Sequence, residues 1–311
     1  LLRDDIFGSA DCVNGKPIDS FSLAVIWLVQ EKLDCSGRSI IMTYDLLVKN
    51  GRIVDGSGMP AFRGDVGISD GKIVELGRLG GTAKRVIDAD GNVVAPGFID
   101  NHCHYDAQVT WDPLCTFSCY HGATTVIIGN CSLALAPVKP DDHEALAGML
   151  SEVEAIPMDI LRAAVPWNWE TFPEYMEAVG RRLSINVGTL VGHSALRLYA
   201  MGEASQERAA TESELETMRR LLREALDAGA LGLSVSRNMS HFDVRGKLIP
   251  AVFAPETEMF ALADVLREVG TGVMQSGGGA GPELKQGLMS RLSEASGRPV
   301  MYNSITHSLY D

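Results

Sequence analysis

The sequence predicts an α/β fold in which a parallel sheet covered by helices follows a small antiparallel β unit. Three observations carry that prediction. Between Tyr44 and Val94, short β-branched runs alternate with Asn-Gly and Asp-Gly turns. After Pro96, apolar strand-like runs alternate with amphipathic stretches of helical length. The 311 residues are 46% hydrophobic and 22% charged, which suffices for a sizeable core and excludes disordered, collagenous and disulfide-scaffold classes. Periodicity leaves a closed barrel and an open doubly wound sheet as alternatives.

Residues 1–41 carry no sustained period, and Met42 reads as a natural start, with an ordinary N-terminal extension as the alternative. The longest apolar run there, 21–29, is shorter than the ~20 residues of a spanning helix. It follows Asp4, Asp5 and Asp19 rather than a basic region, so it predicts neither an anchor nor a signal peptide. These residues are expected to make few contacts with the core. Residues 42–92 form the β unit, with strand runs at 46–48, 52–54, 65–68, 72–74 and 85–88 and hairpins expected at Asn50-Gly51, Asp70-Gly71 and Asp90-Gly91. Residues 93–311 hold six strand candidates: 94–99, 124–128, 185–191, 230–235, 272–275 and 300–305. The clearest helix spans 211–228, where Thr211 and Glu214 make a capping box, Leu215, Met218, Leu222, Ala225 and Leu226 a stripe, and Gly229 the stop. Others begin near Thr171, near Pro255 and near Pro282.

A net charge of −13 disfavours a nucleic-acid or anionic-membrane surface and leaves a small-molecule partner. The six cysteines are too sparse for a secreted scaffold, and Cys115 and Cys119 have no second pair for a zinc knuckle. A reducing, cytoplasmic setting follows.

Chemistry concentrates at strand ends, where active residues of parallel α/β folds gather. His102 and His104, at i and i+2 after the first strand, put two imidazoles on one side of an extended backbone, as a shared metal requires. Cys131 closes the second strand, His193 the third and Arg237 the fourth, so one rim offers metal ligands and a guanidinium that binds carboxylates. The run 277–281 lacks the Lys-Ser/Thr and the glycine spacing of a phosphate loop. His121, His143 and His241 lie away from strand ends and read as surface residues. Trp167 and Trp169 read as a packing anchor for the helix near Thr171.

Gly97-Phe-Ile-Asp-Asn-His-Cys-His-Tyr-Asp106, Gly129-Asn-Cys131 and Leu190-Val-Gly-His-Ser-Ala-Leu-Arg197, after Asp45-Leu-Leu-Val-Lys-Asn-Gly-Arg-Ile-Val-Asp-Gly-Ser-Gly58, resemble the N-acyl-D-amino-acid deacylase (D-aminoacylase) branch of the metal-dependent amidohydrolases. The resemblance covers residues 42–311. It implies a small β-sandwich, of which 42–92 is the first part, on a TIM-like (β/α) barrel that is incomplete here, with about six strands. It implies one or two zinc ions, held by His102, His104 and Cys131. It further implies that His193 orients a substrate carbonyl and that Arg237, or Arg197, clamps a carboxylate. The implied reaction is hydrolysis of a linear amide, an N-acyl-D-amino acid, with cyclic-amide hydrolysis and a non-catalytic metal-binding fragment as alternatives. Three positions depart from the pattern. The fifth strand carries Gln275 where a histidine is usual. The sixth carries Met301 and Asn303, with His307 later than a ligand would lie. The essential aspartate of an eighth strand is expected beyond Asp311, so residues 1–311 alone are expected to be nearly inactive.

Overall fold

The computed structural model describes residues 12–13, 16–17, 42–181, 183–276 and 287–302. The apolar run 21–29, the glycine run 277–281, Asn303 and His307 fall outside the described residues. Within the leader, Cys12–Val13 pairs with Lys16–Pro17. The chain divides into two compact units, Leu1–Pro96 and Gly97–Asp311.

The first unit is one sheet built on β1 (Thr43–Ile53). β2 (Phe62–Ser69) lies antiparallel to β1, and β3 (Lys72–Gly77) antiparallel to β2. β4 (Thr82–Asp88) and β5 (Val93–Val94) run parallel to β1 along its other edge, so the sheet is mixed rather than antiparallel. The three turn signals explain the difference. All place Asn or Asp at positive φ, but only Asp70-Gly71, at 50° and 72°, closes a hairpin. Asn50, at 58°, sits in a bulge within β1, its N–H donating to Asp65 Oδ1 at 2.8 Å. Asp90-Gly91 jogs the chain from β4 to β5 along the same edge, with Gly91 N donating to Asn50 O at 2.8 Å. Local propensity fixed φ in each case, and pairing decided the use. Residues 42–94 thus form a single mixed sheet.

The second unit is a run of parallel strands: β6 (Phe98–Asp100), β7 (Ala123–Ile128), β8 (Asn186–Thr189), β9 (Val191–Gly192), β10 (Gly232–Val235), β11 (Val273–Ser276) and β12 (Val300–Tyr302). Each pairs in chain order, β6-β7-β8 and β9-β10-β11-β12, with only Leu190 between β8 and β9. Sequential order is that of a barrel, because a doubly wound sheet starts in its middle and reverses direction. The described strands are therefore an incomplete TIM-like (β/α) barrel. The run 94–99 is not one buried strand. It splits into β5 and β6 around Pro96, and Phe98 and Ile99 are 69% and 66% exposed because β6 has a neighbour only in β7 among the described residues. Gly232 permits the β10–β11 approach: its φ is 147°, and a Cβ there would lie 1.8 Å from Val273 O.

Seven helices are described: α1 (His143–Glu154), α2 (Met158–Ala164), α3 (Phe172–Gly180), α4 (His193–Met201), α5 (Glu212–Asp227), α6 (Glu256–Val269) and α7 (Leu288–Ser296). Thr211 and Glu214 form the reciprocal capping box of α5, as Thr171 and Glu174 do for α3. Met218, Leu222, Ala225 and Leu226 are buried, each large side chain contributing ~1.5–3 kcal/mol, while Leu215 is half-buried against the same core. No described helix is long and apolar enough to cross a membrane.

Candidate metal centre

The sequence after β6 stays extended enough to bring His102 and His104 side by side, with Nε2 atoms 3.3 Å apart and ring planes at 68°. Cys131 Sγ lies 3.4 Å from His102 Nε2, and the ligand atoms of all three residues lie within 4.8 Å of one another. The structure thus brings together three residues from two strand ends.

Cys131 arrives there through a strained turn. Gly129 takes φ 79°, where a Cβ would meet Leu190 O at 2.1 Å. Cys131 and Ser132 follow at φ 53° and 70°, a conformation that β-carbon-bearing residues adopt only when the surroundings enforce it. The enforcement is visible. Gln275 Oε1 accepts from Cys131 N at 3.0 Å, and Ser234 Oγ accepts from Ser132 N at 3.0 Å while donating to Gly129 O. Ser132 Oγ accepts from Ser194 N at 2.7 Å and donates to Ser194 Oγ at 2.9 Å. Asn130 Nδ2 ties the turn to Ile127 O at 2.8 Å. The start of α4 together with β10 and β11 therefore holds the Cys131 turn against the histidines. The Gln275 side chain thus holds backbone.

Burial, reinforced by the charges of His102 and His241, pulls His104 down to about 4, so its imidazole is neutral and its lone pair available at neutral pH. Two imidazoles and a thiol suit zinc. Two ligand atoms each ~2.0–2.1 Å from a tetrahedral ion stand ~3.3–3.4 Å apart, and a nitrogen–sulfur pair slightly more. The two pairs made by His102, at 3.3 and 3.4 Å, are close to those edges and all three ligand atoms lie within 4.8 Å of one another, so the residues present fit a metal ion.

The other expected residues divide. His193 and Arg197 are not open to substrate. His193 Nε2 lies 2.7 Å from Glu258 Oε1, and Arg197 Nη1 binds both Glu258 oxygens at 2.7 and 2.5 Å, with His193 and Arg197 at 0% exposure and Glu258 at 2%. Arg197 Nη2 also donates to Ser205 O and Arg208 O. The i, i+4 spacing of His193 and Arg197 on α4 aims both side chains at α6, which is why a rim position in sequence became a buried ion network. Arg237 is half-buried and makes no hydrogen bond or ion pair among the described residues, and its charge helps to depress His193. Asp106, two residues past His104, is fully buried, and burial pushes its carboxyl well above the usual carboxylate range.

Of the histidines read as surface residues, only His121 is exposed. His143 stacks on Trp167 at 4.5 Å, and His241 is half-buried with Nδ1 3.3 Å from Ser236 Oγ. Trp169 is 4% exposed and donates from Nε1 to Leu135 O at 2.8 Å, the packing anchor expected of it. Sequence reasoning missed Glu154, whose Oε1 lies 3.4 Å from His104 Nε2. Its only signal was an acidic residue at a helix end, where the dipole disfavours it.

The pattern of the Amidohydrolase family matches residues 85–310. The chain belongs to the amidohydrolase family. It is 40% identical over 248 residues to an uncharacterized protein of Mycobacterium tuberculosis, covering 76% of this chain and 40% of the relative. A D-aminoacylase of Alcaligenes xylosoxydans xylosoxydans is 36% identical over 193 residues, covering 61% of this chain and 37% of that enzyme. Among solved structures, N-acyl-D-glutamate deacylase from Bordetella bronchiseptica, complexed with zinc and a phosphonate inhibitor, superposes with TM-score 0.66 at 32% identity, over 83% of this chain and 51% of that one. The chain spans about 40% of the length of these curated relatives and about half of the solved structure.

Proposed function

We propose that this amidohydrolase cleaves the amide of N-acyl-D-amino acids, releasing a carboxylate and a free amino acid, with one or two zinc ions held by His102, His104 and Cys131. The observation that carries the reading is the convergence of those three ligand atoms within 4.8 Å in a family member similar to D-aminoacylases. Zinc, when bound, supplies Lewis-acid polarisation of the scissile carbonyl and lowers the pKa of water toward ~7. The imidazoles of His102 and His104 and the thiolate of Cys131 would hold it, and the serine network keeps Cys131 in place. Arg237, the half-buried guanidinium without a partner among the described residues, binds the substrate carboxylate. His193 and Arg197, fully buried, brace α4 against α6 through Glu258 instead of touching substrate. The partner is a small N-acyl amino acid. Four cysteines, Cys103, Cys115, Cys119 and Cys131, are free, which supports a reducing, cytoplasmic setting.

The test is a calorimetric titration of zinc-loaded protein with N-acetyl-D-methionine, its L enantiomer and hydantoin, with amino-acid release followed in parallel. Tightest binding of the linear D-amide, weakened at least ~10-fold by Arg237→Met, supports the reading. Equal binding of both enantiomers, or preference for the cyclic amide, overturns it.

A further inference from the structure

We infer that His241, on the loop that follows β10, donates a hydrogen bond from Nε2 to the oxygen of the scissile carbonyl as that oxygen gains charge. The inference rests on the reading that the centre of His102, His104 and Cys131 hydrolyses an amide.

The strand places His241 above that centre. Ser234 of β10 faces the Cys131 turn, since its Oγ accepts from Ser132 N at 3.0 Å and donates to Gly129 O. Side chains two residues apart on a strand share a face and stand ~6.4–6.8 Å apart along it. Ser236, one residue beyond β10 and 1% exposed, therefore follows Ser234 on that face, nearer the rim. His241 Nδ1 lies 3.3 Å from Ser236 Oγ, so the imidazole stands one such step above the turn that carries Cys131. Its charge is felt at His104, as this placement requires. The loop is also held from the side of α1, where a Cβ on Gly148 would lie 3.0 Å from Val244 Cγ2. The same helix ends at Glu154, with Oε1 3.4 Å from His104 Nε2. Ile249 N donates to His241 O at 3.1 Å and Phe242 bridges to Leu248, which closes the loop at its base.

The bonds around Ser236 decide which ring nitrogen carries the proton. Asn238 N donates to Ser236 Oγ at 3.4 Å. Ser236 is buried, and His241 Nδ1 is the only acceptor for its hydroxyl hydrogen among the described residues. Nδ1 therefore accepts, which leaves the ring proton on Nε2. Burial holds the imidazole below its ordinary pKa, so the ring is neutral near pH 7 with one N–H. Nε2 has no partner among the described residues, and the residue is half-buried rather than sealed. A donor fixed in advance stabilises developing charge without reorganising. Arg237 begins the same loop four residues earlier. In an N-acyl amino acid only the α-carbon and the nitrogen separate the carboxylate carbon from the carbonyl carbon. A loop that binds the carboxylate through Arg237 thus brings its second donor to the carbonyl, and the proton stays on Nε2 throughout.

The experiment has two arms. In the first, protein carrying nitrogen-15 histidine is read by long-range proton–nitrogen correlation NMR near neutral pH, with His241→Gln to assign the ring signals. A protonated Nε2 and a bare Nδ1 are expected, and the opposite tautomer overturns the inference. This arm needs neither metal nor substrate, so its outcome is separate from the amide reading. In the second arm, zinc-loaded proteins are titrated with N-acetyl-D-methionine and with its analogue bearing a tetrahedral phosphonate in place of the acyl carbonyl. His241→Leu is expected to weaken the phosphonate ~100-fold and the substrate less than ~3-fold, because the bond strengthens only as charge develops. His241→Gln, which keeps a donor, should recover at least ~10-fold of that loss. Ser236→Ala, which frees the tautomer, should weaken the phosphonate in the same direction. Arg237→Met should weaken both ligands alike. Equal weakening of both ligands by His241→Leu, an unchanged phosphonate affinity, or loss of bound zinc in that variant overturns the inference. If neither ligand binds the unsubstituted protein, the amide reading fails and the inference falls with it.

Discussion

Replacing Arg197 by methionine keeps most of the side-chain volume and removes the cation from the most deeply buried ion network described in the chain. Arg197 is wholly buried, as is His193, and Glu258 is 2% exposed, so water cannot replace what is lost. The change deletes two hydrogen bonds to the Glu258 carboxylate and two to the carbonyls of Ser205 and Arg208. The carboxylate keeps only His193, which burial holds down in the neutral form at pH 7. Breaking a buried pair by removing one partner costs ~3–5 kcal/mol, because an uncompensated charge remains. Against a typical stability of ~5–15 kcal/mol, that is a large fraction. For a unit of this size it lowers the melting temperature by ~6–20 °C. Urea denaturation followed by circular dichroism measures the change. Arg197→Met combined with Glu258→Leu removes both charges and should recover at least ~half of the loss. A shift below ~1 kcal/mol for Arg197→Met, or a double variant as unstable as the sum of the singles, would refute the assignment of this network as charged and buried.

Thr211→Ala removes the α5 capping box and should cost ~1 kcal/mol by thermal melting. Glu214 in that box is pulled down to about 2, first by Arg208 and then by the Thr211 backbone, from 4.5. A depressed carboxyl contributes stability above its unfolded pKa, so the contribution should fade as pH drops from about 4.5 to about 2, and Glu214→Gln should abolish that part of the pH dependence of urea midpoints. Gly232→Ala must displace the β11 backbone and should destabilise by at least ~2–3 kcal/mol, read as the urea midpoint. Ser234→Ala removes hydrogen bonds from the Cys131 turn. It should weaken metal binding ~10–100-fold in chelator competition while costing only ~1–2 kcal/mol in stability.

What could be read from sequence, and what could not, follows the range of the interactions. The strand at 124–128, the α5 capping box and the strand-end positions of His102, His104 and Cys131 rest on short-range periodicity, which the chain carries locally. Asn50-Gly51 and Asp90-Gly91 specify φ but not partners, so a bulge and a jog look like hairpins until pairing is known. Arg197 and Glu258 are 61 residues apart, and nothing local tells a rim guanidinium from one swallowed by a helix pair. The serines that brace Cys131 come from three segments and carry no pattern at all. Glu154 was detectable only as a charge at the wrong end of a helix, a clue that acquires meaning once His104 is seen beside it.

The most direct test of the metal centre is the zinc K-edge X-ray absorption spectrum of the purified, zinc-loaded protein. One sulfur at ~2.3 Å with two or three nitrogen or oxygen neighbours at ~2.0–2.2 Å is the expected first shell, and Cys131→Ala should remove the sulfur. A first shell without sulfur, or a sulfur that survives Cys131→Ala, would contradict the site built from His102, His104 and Cys131.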